Sequence, residues 1–379
     1  MAVKRAIGSP RLMVGFEGTD VPLPLRARLA DGTVAGVVLF SRNVGDALQV
    51  RNLCRAIHAA AGRERPAPLI AIDHEGGRVI RLSHSDFTRF PPARAYSLFE
   101  GGADVVAEES GRAMGCELRA VGIDITFSPV FDVDSNPRNP VIGDRAFSDR
   151  PEEAARLGNA FVRGTIAAGV IPVGKHFPGH GNTETDSHLE LPVVRSDKRV
   201  LETRDLLPFR EAIRAGLPAL MTAHVLYPAL DRNWIATLSP AILIDLLRKD
   251  MRFRGVVFSD ALEMKAVADR YPAGEAAVLA VAAGCDVVLI CRGEADQEAA
   301  AEALAAECNR SPAFRRRTTE SLRRVNRLAE RASALGPPRA SLRQVGCRAH
   351  RALALLLSEQ WQGSGKTSAG GRSDNIGED

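Results

Sequence analysis

Residues 170–192 read VIPVGKHFPGHGNTETDSHLELP. The opening run, Val170–Val173, has the continuous apolar character of a strand buried on both faces. At Gly174 it gives way to a polar, glycine-bearing loop that carries Lys175, His176, His180, Glu184, Asp186 and His188. The chain holds eight histidines. Three of them in one loop, beside a lysine, point to a site that binds hydroxyls and moves protons rather than to a solvated turn.

The pattern of apolar run followed by polar constellation recurs along the chain. Apolar runs lie at Leu12–Phe16, Gly36–Phe40, Leu69–Ile72, Ile123–Phe127, Val170–Val173, Ala219–Thr222, Gly255–Phe258 and Asp286–Ile290. Segments of helical period separate them at Ala47–Ala61, Val105–Val121, Glu152–Ala168, Lys198–Ala215, Pro240–Asp250 and Ala273–Ala283. Strands alternating with helices predict parallel βαβ units of the α/β class. Eight of them predict a (β/α)8 TIM-type barrel forming a single catalytic domain, for which about 250 residues is typical. A doubly wound open sheet is the competing architecture. It would want a G-x-G-x-x-G turn after the first strand, and none is there.

The domain division expected is a barrel over 1–335, a C-terminal helical extension over 336–362 and a disordered tail over 363–379. The span Glu294–Leu335 reads as one or two closing helices. The tail is poor in apolar residues. Its GSGKT lacks the strand and first glycine of a phosphate loop and is read as chance.

Bulk properties narrow the function classes. The chain of 379 residues is 45% hydrophobic and 25% charged, with a formal net charge of +4. The arginines are dispersed, so no nucleic-acid partner is expected. No apolar stretch approaches the roughly 20 residues of a membrane span. The N-terminal MAVKRAIGSPRLMVGFEG lacks the apolar core of a secretory signal. Six cysteines (Cys54, Cys116, Cys285, Cys291, Cys308, Cys347) show no zinc-site spacing and read as reduced thiols in a cytoplasmic protein. A monomer with no cofactor and no metal is expected.

In a barrel of this kind the chemistry sits at the carboxyl ends of the strands, so the residues that follow each apolar run are the candidates. Leu69–Ile72 is followed by Asp73-His74-Glu75-Gly76-Gly77-Arg78 and then Arg81. Asp73, at the strand end, suits two sugar hydroxyls, whereas Glu75 and Arg78 suit bracing the loop equally well. After Ile123–Phe127, Asp144 and Arg145 are candidate ligand contacts, and Asp132 and Asp134 read as turn or capping residues. His224 follows Ala219–Thr222 and serves equally well as contact or as hydrogen-bonded wall. Asp260 follows Gly255–Phe258. It reads as a reactive carboxylate or as the N-cap of a helix beginning near Ser259, and Glu263 is the weaker candidate on that helix.

Carboxylates, basic groups and a histidine-rich loop in one barrel mouth suit glycoside hydrolysis, which needs a nucleophile and a proton donor. In the triplet Asp186-Ser187-His188, an extended backbone puts both outer side chains on one side. Asp186 can then hold the His188 imidazole, fix its tautomer and raise its pKa.

The motifs KHFPGHGNTETDSH (175–188) and LELP (189–192), with IDHEGGRV (72–79), IGDRAF (142–147), MTAHVLYPALD (221–231) and FSDALEM (258–264), together carry a family likeness. Over roughly Leu12 to Leu335 the chain resembles the family-3 glycoside hydrolases, specifically the single-domain bacterial beta-N-acetylhexosaminidases of peptidoglycan recycling. The resemblance implies Asp260 as nucleophile, His188 as acid/base and Asp186 as its partner. It also implies Asp73, Arg81, Arg145, Lys175 and His176 as contacts to an N-acetylglucosamine ring. The implied substrate is N-acetylglucosamine β-1,4-linked to anhydro-N-acetylmuramic acid, with or without a stem peptide, and the implied setting is cell-wall biogenesis, cell shape and division. His74 departs from the glutamine usual there.

Three rival readings carry their own tests. A metal-dependent barrel hydrolase would use His176, His180, His188 and His224 with Asp260, and activity surviving exhaustive chelation would remove it. A beta-N-acetylglucosaminide phosphorylase would pass the same glycosyl-enzyme to phosphate and release a sugar 1-phosphate. A non-catalytic muropeptide-binding sensor would have no need of Asp260, Asp186 and His188 together.

Overall fold

The computed structural model describes residues 11–61, 67–99, 101–187, 189–334 and 341–363. Eight parallel strands close into a barrel: β1 (Leu12–Val14), β2 (Gly36–Leu39), β3 (Leu69–Ile72), β4 (Ile125–Thr126), β5 (Ile171–Phe177), β6 (Ala219–Thr222), β7 (Val256–Ala261) and β8 (Val287–Ile290). Each pairs with its sequence neighbours, and β8 pairs with β1, Leu12 lying opposite Val288. Every apolar run expected to be a strand is one. Closure excludes the open doubly wound sheet.

Alternation along the strands divides two cores. Met13, Val38, Ala71, Val173 and Phe258 fill the barrel interior. Val14, Val37, Ile72, Leu220 and Val257 face outward against the helices. Two strands break this alternation. Between β5 and β6 the register runs Gly174↔Leu220 and then Phe177↔Thr222, so β5 carries one extra residue. Between β7 and β8 it runs Phe258↔Val287 and then Ala261↔Leu289, so β7 carries one as well. These are bulges, which re-aim side chains.

The helices follow the predicted spans with small shifts, among them Ala47–Ala60, Ala103–Val121, Pro151–Ala167 and Ala273–Ala283. Several short elements go beyond the predicted spans, two of them near the mouth or at the barrel's edge. The helix Leu23–Asp31 is only nine residues long and buries only Leu25 and Leu29, and His74–Gly76 pairs with Val79–Ile80 as a small hairpin over the mouth.

The amino end of the barrel is closed by charge and by a helix. Asp124 stands one residue before β4 and accepts from the Ile70 backbone N–H at 3.0 Å, with His58 and Arg119 on the same carboxylate. Asp286 repeats the arrangement before β8. It accepts from Val257 N–H (3.0 Å), Ser321 Oγ (2.8 Å), Arg248 (2.5 Å), Arg324 (3.1 Å) and Arg317 (3.2 Å). Burial alone would raise the pKa of the Asp286 carboxyl, but the three guanidiniums hold it below its usual range. Beneath them the helix Pro312–Ala334 turns Val325, Leu328, Ala329 and Ala332 into the barrel interior. That spacing is one helical stripe.

Near the carboxyl end of the chain, the helix Arg348–Gly363 docks on Ala103–Val121 through Ala354 and Leu357. His350 and the Gly346 N–H meet the buried Glu117 carboxylate there at 2.8 and 3.1 Å. From residue 364 onward, the tail expected to be disordered lies outside the described residues. No helix among the described residues is long and apolar enough to cross a membrane.

Candidate active site

At the carboxyl end of the barrel a cavity of about 430 Å³ opens. Its charged groups arrive there by strand alternation. Asp73 continues the inward positions Leu69 and Ala71, and Lys175 continues Ile171 and Val173. Asp260 continues Val256 and Phe258 in the same way. The bulges then bring two consecutive residues to the cavity, Lys175 with His176 and Asp260 with Ala261. Lys175 and His176 therefore belong to the strand, not to the loop the sequence reading put them in. The same holds for Asp260. Strand β7 continues through Ala261 and the next helix begins only at Lys265, so Asp260 is no N-cap.

One side of the cavity is an ionic network. The Arg145 guanidinium grips Glu75 in bidentate fashion, Nε and Nη2 each at 2.8 Å, and also donates to the Val141 carbonyl at 3.1 Å. Lys175 Nζ lies 2.5 Å from Asp73 and 2.7 Å from Glu75. Burial would push the Glu75 carboxyl up, yet Arg145 and Lys175 hold it well below the carboxylate range. Burial would lower the Lys175 pKa, yet Asp73 and Glu75 raise it. Both stay charged. Of the five N–H donors of Arg145, three are engaged by described residues, and the other two make no hydrogen bond among them. Asp73 uses one oxygen on Lys175.

Behind this network lies Asp132, a buried anchor and not the turn or capping residue its sequence setting suggests. It is fully buried. Its carboxylate meets His176 Nδ1 at 2.7 Å and accepts from the backbone N–H groups of His176 and His180, the latter at 2.6 Å. Asp132 thus fixes the His176 ring, which lines the cavity. Nothing local in SPVFDVD shows this, because its partners lie 44 and 48 residues downstream.

The first half of the histidine-rich loop is pinned. His180 Nδ1 meets Thr183 Oγ1 at 2.9 Å and its Nε2 lies 3.4 Å from Ser187 Oγ. Asn139 donates to the His180 carbonyl and Tyr227 OH to the Gly179 carbonyl, at 2.9 and 2.7 Å. Burial and the neighbouring His176 lower the His180 pKa to about 4, so its ring is neutral. Gly181 supplies close approach rather than a free backbone: a Cβ there would stand 1.7 Å from the Val133 carbonyl oxygen.

Of the residues singled out from sequence, Asp73, Arg81, Arg145, Lys175, His176 and Asp260 share the cavity. Arg81 enters from the hairpin side with its guanidinium 5.8 Å from the Phe40 ring. Asp186 is half-buried in the loop beside Ser187, whose side chain reaches the cavity. His188 lies outside the described residues. Asp144 is drawn away from the cavity to Arg78 (3.3 Å), which makes Arg78 the loop brace. His224 is a wall: its ring nitrogens meet Thr237 Oγ1 and the Ala261 carbonyl at 2.8 and 2.9 Å. Among the described residues no group of three His, Cys, Asp or Glu side chains is placed to hold a metal ion.

Glu263, rated the weaker candidate, is also in the cavity wall. One oxygen accepts from the Cys291 N–H at 2.7 Å, and the other is buried with no hydrogen-bond partner among the described residues. Burial, with a smaller contribution from Asp260, raises its pKa to about 7. The sequence signal available was the spacing of three from Asp260, which the expected helix disguised.

A closed barrel with carboxylates and cations facing one another across its mouth is the architecture of the barrel glycosidases, among other barrel enzymes. Residues 21–328 match the glycosyl hydrolase family 3 N-terminal domain. The chain belongs to that family, and it is a glycoside hydrolase of the beta-hexosaminidase type. It is 46% identical over 310 residues to the beta-hexosaminidase of Methylococcus capsulatus, covering 80% of this chain and 89% of that protein. The beta-hexosaminidase of Alkalilimnicola ehrlichii is 44% identical over 284 residues, covering 74% of this chain and 80% of the relative. Among solved structures, NagZ from Neisseria gonorrhoeae in complex with N-trifluoroacetyl-D-glucosamine is 33% identical with a TM-score of 0.69, covering 86% of this chain and 99% of that one.

Proposed function

We propose that this enzyme is a retaining exo-β-N-acetylglucosaminidase working through a covalent glycosyl-enzyme on Asp260. The observation that carries the reading is the position of Asp260. It ends the inward row of β7, inside the cavity that also holds Asp73, Arg81, Arg145, Lys175 and His176. The last five bind the N-acetylglucosamine ring: Asp73 accepts from its hydroxyls, and the cations and His176 donate. An Asp260 oxygen attacks the anomeric carbon as the bond to the leaving sugar breaks. His188, held by Asp186, gives that leaving oxygen its proton. In the second half His188 takes a proton from water, the resulting hydroxide attacks the same carbon, and the bond to Asp260 breaks. Two inversions retain configuration.

The substrate we infer is N-acetylglucosamine at the non-reducing end of anhydro-muropeptides, cleaved in the cytoplasm during peptidoglycan recycling. The motif resemblance and relatives named beta-hexosaminidase and NagZ support it. The catalytic unit is residues 1–335, acting as a monomer.

The test is a fluorinated N-acetylglucosaminide whose glycosyl-enzyme turns over slowly, followed by peptide mass spectrometry. The adduct is expected on the peptide holding Asp260 and absent from Asp260→Asn. An adduct on another residue, or product released with inverted configuration, overturns the mechanism. Failure to release N-acetylglucosamine from the anhydro-disaccharide, with aryl glycosides still cleaved, overturns the substrate alone.

A further inference from the structure

At the opposite end of the barrel, a second cavity of about 340 Å³ lies where β6 and β7 begin, beside the helix Pro312–Ala334. Five arginines line it: Arg252 and Arg254 from the turn into β7, and Arg324, Arg327 and Arg331 from the helix. No Asp or Glu lines it. Arg324 is committed to Asp286. Arg252, Arg254, Arg327 and Arg331 make no ion pair among the described residues. Arg324, Arg327 and Arg331 stand three and seven residues apart, which puts them on one helix face. Arg252, Arg254, Arg327 and Arg331 are all exposed, so water screens their mutual repulsion, and together they form a positive patch that favours a multivalent anion.

Arg252 holds φ +58°, the one positive φ outside glycine among the described residues, as the left-handed residue that closes the helix Ala241–Asp250. The wall between the arginines is apolar: Leu217, Pro218, Phe253 and Leu328. Guanidinium forks match phosphoryl oxygens in pairs, and the volume falls at the small-metabolite end of ligand cavities.

We propose that this amino-end cavity binds a phosphoryl group, with Arg252, Arg254, Arg327 and Arg331 as its donors and the apolar wall receiving any ring it carries. The site is separate from the mouth, since β7 spans the barrel between Arg254 and Asp260. Two sources share the chemistry, inorganic phosphate and a sugar phosphate monoester.

The experiment is calorimetric titration of the full chain at constant ionic strength with inorganic phosphate, with glucose 6-phosphate and with glucose, in the absence and presence of saturating N-acetylglucosamine. Saturable one-site binding of phosphate, of glucose 6-phosphate or of both is expected, with none for glucose and no competition from N-acetylglucosamine. Tighter binding of glucose 6-phosphate assigns the apolar wall a role; equal binding assigns the site to phosphate alone. Arg254→Gln with Arg327→Gln should weaken binding by at least about tenfold, and the same pair changed to Lys should recover part of it, whereas hydrolysis of an aryl glycoside stays unchanged. No saturation by either anion, displacement by N-acetylglucosamine, or unaltered affinity in the Gln variant overturns the proposal. Thermal melting in buffer alone shows whether each variant is folded.

Discussion

The two ends of this barrel are built from the same materials and use them differently. At the amino end, Asp286 is surrounded by three guanidiniums, a serine hydroxyl and a backbone N–H. Its acceptor capacity is spent on protein, and the result ties β7, β8 and the floor helix together. At the carboxyl end, Glu75 is held by Arg145 and Lys175, but among the described residues the cations keep unused donors and Asp73 keeps an oxygen, beside a cavity. A network whose hydrogen bonds are all made within the protein is architecture. One that leaves some of them to be made by a ligand is a binding site.

Substitutions at the two ends should separate along that line. The largest effect is expected from Asp260→Asn, with kcat/KM falling at least ~10⁴-fold and the melting temperature almost unmoved. Aryl-glycoside kinetics beside calorimetry check it, and near-normal turnover would break the contrast at its root. Asp286→Asn should do the reverse. It leaves three arginines facing a neutral amide and should lose on the order of 3–5 kcal/mol in urea unfolding, with kcat per folded molecule unchanged. Because folding depresses the Asp286 pKa, its contribution is full above the unfolded-state value and fades as pH falls through the folded one.

Glu75→Gln falls between the two. A neutral amide serves Arg145 and Lys175 poorly, so ring contacts loosen, and kcat/KM should drop about tenfold to a hundredfold, mostly in KM. A drop confined to kcat would place Glu75 at the reacting atoms instead. The smallest effect is expected from Glu263→Gln, and it depends on pH. Folding raises this carboxyl from the ordinary 4.5 to about 7. The wild type therefore binds an extra proton when folded between those values, and loses stability as pH rises through that window. The variant should lack that slope and be more stable at pH 8 by on the order of 2 kcal/mol. Urea midpoints from pH 4 to pH 8 decide it; parallel curves for the two proteins would remove the assignment.

The barrel was legible in the chain because each strand is a local apolar run, and each polar cluster follows its strand directly. Asp73, Lys175 and Asp260 were legible for the same reason. The errors have physical causes. Ser259-Asp260-Ala261 resembles a helix start, but pairing with β8 extends the strand through it. Asp132 reads as a turn residue because its partners lie far along the chain, and the split of Arg78 and Arg145 between brace and cavity is set in the same way. The arginine cavity was invisible because its two faces come from segments about 70 residues apart. The role given to His188, which lies outside the described residues, comes from the sequence alone, from its neighbour Asp186 and the motif around it.

The surplus residue in each of β5 and β7 makes the count of residues as important as their identity. Deleting any one position between Gly174 and Phe177, or between Phe258 and Ala261, would restore an unbroken two-residue rhythm and swap inside for outside at the strand tips. Such a protein could keep every acid and base named above and still present the wrong ones to the sugar. Sequence comparison by composition or by motif letters would miss that loss, whereas a gap of a single residue at either place marks a barrel that has changed trades.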